Sequence, residues 1–501
     1  MMNTIWGINL LVLIVLLMLP TDELFSQKRS QGLFDGNTDV GNVVRKGSVS
    51  FDSAKATYTI VGGGENMWYA VDAFHYVWRK ASGDLAISAA ISFVDTGGNA
   101  HRKAGLIIRQ SLESDAPYAD AVVHGDGLTS MQYRDVKGGP TREIQANIKA
   151  PGRLKIQKQG EYVFMSVAPE GADFRAAGGS FRIKFTEPFY VGIGVCAHDS
   201  NALEKAVFSQ VEIVGRSKAD TGEASVESTV ETVSIESKDR KAIYVAPNFI
   251  EGAFWSADGE QVFFSNMGQL YTVPKGGGKP SSFNTGILKN LGSSNGFSPD
   301  RKMLALSNYI GEHQSKIYVI PVNGGEPKLV TTSASSWWHG WSPDGATIVF
   351  AGMRDSKLDI YSIPVRGGME TRLTNQQGMN DGPEFSPDGR FIYFNSDRTG
   401  SNQIWRMKPD GSAQEQITND GQNNWFPHVS PDGKWIAFLS YDHGVKGHPA
   451  NQDVLLRVMP AAGGDIDVVA KLFGGQGTFD VNPWAPDSKN LTFISFRSLH
   501  K

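Results

Sequence analysis

The chain has a single cysteine, Cys196, in 501 residues. That excludes an internal disulfide framework, a zinc ribbon and a redox pair. It also has little charge of one sign: 48 Lys and Arg stand against 52 Asp and Glu, for a formal charge of −4. A nucleic-acid binder would need a basic footprint, so nucleic acid is not expected as a partner. No amphipathic helix of useful length can be traced. Apart from one early stretch there is no long apolar run. That stretch, residues 7–20 (GINLLVLIVLLMLP), is shorter than the about 20 residues that span a bilayer. Polar residues follow it, then Leu24-Phe25-Ser26, so residues 1–26 read as a secretory leader. No Cys follows the run, so a lipid anchor is excluded, and no stable transmembrane anchor is expected after cleavage. The expected location is secreted or periplasmic.

Glycine is abundant, at 56 residues, and tryptophan numbers 11. Both suit a turn-rich all-β protein. Around Cys196, Val191, Ile193 and Val195 alternate, which marks a half-buried strand and an inert core thiol. Similar alternation recurs over residues 31–215: Leu85, Ile87, Ile91 and Phe93; Leu106 and Ile108; Leu154 and Ile156; Val211 and Ile213. Gly-rich turns separate these runs. The pattern predicts a β-sandwich. Residues 216–228 (RSKADTGEASVES) lack alternation and read as a linker.

From residue 229 a repeat governs the chain. Phe254-Trp255-Ser256-Ala257-Asp258-Gly259 recurs as Phe297-Ser298-Pro299-Asp300, Trp341-Ser342-Pro343-Asp344-Gly345, Phe385-Ser386-Pro387-Asp388-Gly389, Val429-Ser430-Pro431-Asp432-Gly433 and Trp484-Ala485-Pro486-Asp487. The spacings are 42, 44, 44, 44 and 55 residues. Short strands at a period in the forties are the mark of a β-propeller. Ser-Pro-Asp-Gly is itself a tight turn, with Pro presetting φ and Gly taking the left-handed position. Each motif is followed by three further strands and a second Gly turn, except the last. The sixth blade therefore has to borrow strands from residues 229–246, a 2+2 closure. The expected fold is all-β: a jelly-roll sandwich, then a six-bladed propeller over residues 229–497.

These blades resemble the TolB-like (WD40-like) propeller repeat. The stretch from His101 to Arg109, with Tyr190 to Val195, resembles concanavalin-like or laminin-G-like jelly rolls of secreted carbohydrate-active proteins. The two resemblances imply a binding protein that holds a glycan or a cell-envelope protein.

Propeller geometry places the residues before each turn motif around the channel mouth. These are Glu251; Ser294 and Asn295; Trp337, Trp338 and His339; Asn380 and Asp381; Asn424, Trp425, Phe426 and His428; Asp480 and Asn482. Indole faces stack on sugar C–H surfaces, and amides and carboxylates bond hydroxyls. Ligand contact is expected at Trp337, Trp338, His339, Asp381, Asn424, Trp425, His428 and Asp480, away from the Ser-Pro-Asp-Gly face. The 55-residue spacing adds a loop over residues 441–453. Its Asp442, His443 and His448 could join His428 on a divalent metal, although no cofactor is required. The alternative activity, by resemblance to oligogalacturonate lyases, is polysaccharide elimination. His339 or His428 would then be the base, and Arg354 or Arg398 would neutralise a uronate carboxylate.

Overall fold

The computed structural model describes residues 32–215 and 224–500. The leader, 1–26, and the first part of the expected linker, 216–223, lie outside the described residues. The described chain is all-β, and no described helix is long and apolar enough to cross a membrane.

In the first half, alternating apolar residues pair into two antiparallel sheets. One runs Arg175–Ala176, Tyr162–Ala168, Arg153–Gln159, Leu85–Phe93, Glu204–Gly215, Thr57–Gly62 and Ser48–Asp52, with Phe181–Arg182 also on Tyr162–Ala168. The other begins Gly36–Val40, Phe74–Ala81, Phe189–Cys196, Lys103–Arg109, Tyr118–His124, Thr129–Arg134 and Arg142–Gln145. Both contribute to one core: Ile60, Ile87, Ile156 and Phe208 from the first sheet meet Val77, Leu106, Ile108 and Ile193 from the second. Cys196 is a free, buried thiol, and burial pushes its pKa up to about 11, so it stays protonated and inert.

The second sheet does not stop there. Ile144 and Gln145 pair in parallel with Arg240 and Lys241, which adds Arg240–Ala246, Ala224–Ser234 and Asn490–His500 to make ten strands. The two halves therefore share a sheet, and residues 224–228 of the expected linker lie inside a strand.

Five four-stranded sheets follow, not the six that the repeats predict. Their inner strands are Glu251–Trp255, Leu291–Phe297, Ser336–Trp341, Asn380–Phe385 and Gln422–Val429. The turn chemistry is as the motif dictates. Each Ser hydroxyl donates to the Asp two residues on, at 2.5–2.7 Å, and accepts the amide five residues on, at 2.9–3.0 Å. The following Gly has φ near +70° in four turns (Gly259, Gly345, Gly389 and Gly433), where an L side chain is strained.

The strands expected for a sixth blade end the ten-stranded sheet instead. Ala224–Ser234 pairs with Asn490–His500 along its eleven residues, and Asn490–His500 touches both the first and fifth propeller sheets. The fourth strand is missing: only Trp484 bridges Leu491. The last motif has Ala485 where the others carry Ser, so the hydroxyl that locks the turn is gone. Upstream, Pro483 has no N–H to donate, and Asp480 spends its carboxylate on the Gly477 amide and Gln476.

A buried ion pair fixes this junction. Arg240 and Glu231 have fully buried side chains with Nη2–Oε1 at 2.7 Å and Nε–Oε2 at 2.9 Å. Arg240 Nη1 also donates to the Ser180 carbonyl at 2.7 Å, and Ser495 Oγ donates to Glu231. Arg240→Met would leave Glu231 buried and unpaired. It should lower unfolding free energy by about 3–5 kcal/mol in chemical denaturation. It should also destabilise both halves together, because the pair bonds to each.

Candidate functional site

Every inner strand of the five sheets is broken by a register shift: between Glu251 and Phe254, Leu291 and Asn295, Trp338 and Gly340, Asp381 and Glu384, and Trp425 and His428. Such bulges re-aim side chains and mark the rims of radial folds. Gly252, Gly382 and Phe426 take left-handed φ values of +67°, +60° and +54° to make theirs.

The bulges gather a polar cluster. His339 Nε2 lies 3.4 Å from Asp381 Oδ1, and His448 Nε2 lies 3.7 Å from Asp381 Oδ2. The long loop thus delivers His448 to Asp381. Asn423 anchors that loop by donating to the carbonyls of Asp442, His443 and Val445. Burial alone would raise the pKa of Asp381. The His339 bond, both imidazoles and the Gly382 amide outweigh it and hold the carboxyl below its ordinary value. For Asp480 the balance runs the other way: burial outweighs Ser293, both imidazoles and the Gly477 amide, and its pKa is raised. Glu251 is pushed to about 8 by burial and by Asp480.

The expected ligand-binding residues do not form an open mouth. Trp425 and Trp338 are 2% and 4% exposed and belong to the propeller core, so neither offers a face to a sugar. Trp337 is half-buried. Asn424 is fully enclosed: its amide donates to Gln403, Thr418 and Asp420, and its oxygen accepts from Ser440 and Arg457. His428 is locked with Nδ1 2.6 Å from Glu384 Oε2 and Nε2 3.3 Å from the Phe479 carbonyl. It has no nitrogen left to act as a base.

The candidate neutralisers are likewise spent. Arg354 is bidentate on Glu370 at 2.9–3.1 Å, and Arg398 holds Asn380 Oδ1 at 2.6 Å and Ser396 Oγ at 2.9 Å. Asp442 and His443 are exposed. Among the described residues no group of three or more His, Cys, Asp or Glu is arranged to hold a metal ion.

The open space is on the opposite side. A cavity of about 390 Å³ lies along the axis toward the Ser-Pro-Asp-Gly turns. Phe254, Phe297, Trp341, Phe385 and Trp484 wall it, Pro299, Pro343, Pro387 and Pro431 rim it, and His339, Glu384, Asn295 and Asn482 supply polar groups. The turn face, which turn chemistry alone explains, thus also frames a cavity. Reasoning from the sequence missed Glu384, which holds His428 and accepts Val429 N and Asn482 Nδ2. Its position three residues after Asp381, on the same inner strand, is the one signal that pointed to it.

Two consequences can be measured. Trp425→Ala should destabilise by about 3–5 kcal/mol as a core truncation, read by denaturant melt. Glu251 keeps its proton in the folded chain up to about pH 8, whereas its ordinary value is 4.5. Its contribution to stability is therefore fully present below pH 4.5 and declines as pH rises to about 8. Glu251→Gln should flatten the fall in stability between pH 5 and pH 8.5.

Comparison with known proteins agrees with this architecture. The TolB beta propeller domain family matches residues 284–460, within the propeller half. The Agrobacterium fabrum protein Atu1656, itself uncharacterized, is 41% identical over 273 residues, 54% of this chain and 93% of that protein. A solved structure from Agrobacterium tumefaciens, named as a provisional TolB, is 40% identical with a TM-score of 0.53, covering 55% of this chain and all of that one. TolB from Acinetobacter baumannii is similar at 14% identity and a TM-score of 0.37, over 68% of this chain and 78% of that one, too distant to carry an argument. Matched over nearly the whole length of the Agrobacterium relatives, this chain belongs to their family of TolB-like β-propeller proteins.

Proposed function

We propose that the protein is a secreted or periplasmic binding protein and that its propeller holds a ligand in the axial cavity. One observation carries this reading. The axial cavity of about 390 Å³ is walled by Phe254, Phe297, Trp341, Phe385 and Trp484, and His339, Glu384, Asn295 and Asn482 are the polar residues of its lining. Aromatic walls with a few convergent polar groups are what small-molecule sites look like.

The location reading rests on the apolar leader. The N-terminal pair of sheets we read as a concanavalin-like sandwich, on its two-sheet core, and as a second surface for a glycan or a cell-envelope protein. Binding is favoured over polysaccharide elimination because Arg354, Arg398 and His428 are already saturated.

Calorimetric titration with a panel of neutral and acidic sugars and short peptides tests the proposal. At least one ligand should bind and should lose tenfold or more in affinity in Pro343→Trp, which narrows the exposed cavity rim. A panel without binders, or binders indifferent to Pro343→Trp, would overturn it.

A further inference from the structure

A second cavity, of about 680 Å³, lies in the wedge between the fifth propeller sheet and the closing segments. Trp435, Val458 and Pro460 line it from the fifth sheet, and Ile235, Ser488 and Lys489 line it from the closing side. Carboxylates predominate around it: Glu236, Asp432, Asp465, Asp467 and Asp487 stand against Lys434 and Lys489.

Three of these residues repeat a device that the fourth sheet carries in full. There the Arg406 guanidinium carbon stands 4.6 Å from the centroid of the Phe391 ring. Its Nε and Nη2 donate to Glu415 Oε2 at 2.9 and 2.7 Å. The pairing register identifies the counterparts one sheet on. Ile392 pairs with Met407 as Ile436 pairs with Met459, so Phe391 corresponds to Trp435 and Arg406 to Val458. Arg406 pairs with Glu415 as Val458 pairs with Asp467. The fifth sheet thus keeps the aromatic ring and the carboxylate and lacks the cation between them. In the first three sheets the position of Trp435 is held by Gln261, Met303 and Thr347, so the ring belongs to the last two sheets alone.

The chain does not make good the loss from elsewhere. Lys238 donates to Asp467 Oδ1 at 2.6 Å, but it does not line the cavity, and Asp467 Oδ2 has no hydrogen bond among the described residues. Lys434 is held on Asp432 at 3.2 Å. Glu236 and Asp465 are exposed and have no ion pair among the described residues. Lys489 is unpaired as well and offsets one of them, which leaves negative charge in excess. Trp435 is half-buried and Asp467 exposed, so a ligand can reach both.

We infer that this cavity is a second binding site and that it takes a guanidinium on an aliphatic stem, as an arginine side chain provides. Trp435 acts in place of Phe391 and Asp467 in place of Glu415, and the stem lies along Val458 and Pro460. A planar guanidinium stacks on an aromatic face and offers paired N–H groups to a carboxylate. The surplus of carboxylates attracts the cation. A volume of about 680 Å³ accommodates the side chain together with the backbone that carries it. The site is independent of the axial cavity, with which it shares no lining residue.

Two pairs of probes test the inference: acetyl-Gly-Arg-Gly-amide beside the same peptide built on citrulline, and free arginine beside free citrulline. Citrulline keeps the shape of arginine without its charge. By calorimetry the full chain should bind the arginine member of at least one pair about tenfold or more tightly than its citrulline counterpart. The pair that binds more tightly names the source, a partner's side chain or a free small molecule. Asp467→Asn and Trp435→Leu should each abolish most of that preference. Val458→Arg supplies the missing cation from within. It should close the site to the probes while the melting temperature stays level or rises. If Val458→Arg does not fold, Asp467→Asn decides, because an exposed side chain is exchanged for one of the same shape. No preference for arginine over citrulline in either pair would overturn the inference. So would an arginine affinity that Asp467→Asn leaves unaltered, or one that persists in folded Val458→Arg.

Discussion

The Arg240–Glu231 pair is the point on which both halves of the chain turn. It is fully buried, and its spare hydrogen-bonding groups reach Ser180 on one side and Ser495 on the other. Burying two charges is tolerated only when each is bonded throughout, so the pair demands one arrangement of four separate segments. Gly179 is part of that demand: a Cβ there would come within 2.0 Å of Glu231 Oε1. Because Arg240 begins the strand that pairs with Ile144, the same residue ends the first half's sheet and starts the second half's. Contacts farther along the interface follow this register, among them Arg182 on Asp453 at 3.2 Å and Lys471 on Asp135 at 3.0 Å.

That shared sheet changes how the propeller closes. Complete rings avoid open edges by pairing first and last strands. Here the first and last strands do pair, but within a sheet whose far side is the N-terminal half. The parallel step at Ile144 and Gln145 covers the edge that an isolated blade would expose. The protein is consequently one joined β structure and not two bodies on a tether.

The axis is divided by its own bulges. On one side they pack Asp381, Asp480 and His339 so tightly that all three are buried, with His448 laid across Asp381. On the other they leave an aromatic funnel toward the turns. A repeated local irregularity, present in all five inner strands, therefore decides which end of the channel is plugged and which is open. Trp338 and Trp425 are packed into the hydrophobic core between the sheets.

Much was legible in the sequence because it depends on nearest neighbours. Period-2 alternation gave the strands, and Ser-Pro-Asp-Gly gave the turns, since a hydroxyl, a ring and a missing Cβ act within five residues of one another. The burial of Cys196 followed from the same alternation. What sequence could not decide depends on register. A bulge turns a side chain by one position, so Trp425 and Trp338 pass from mouth to core without any change in local pattern. The sixth motif forms its turn without a four-stranded sheet, because Ala485 lacks the locking hydroxyl and the neighbouring strands are held by residues more than two hundred positions away.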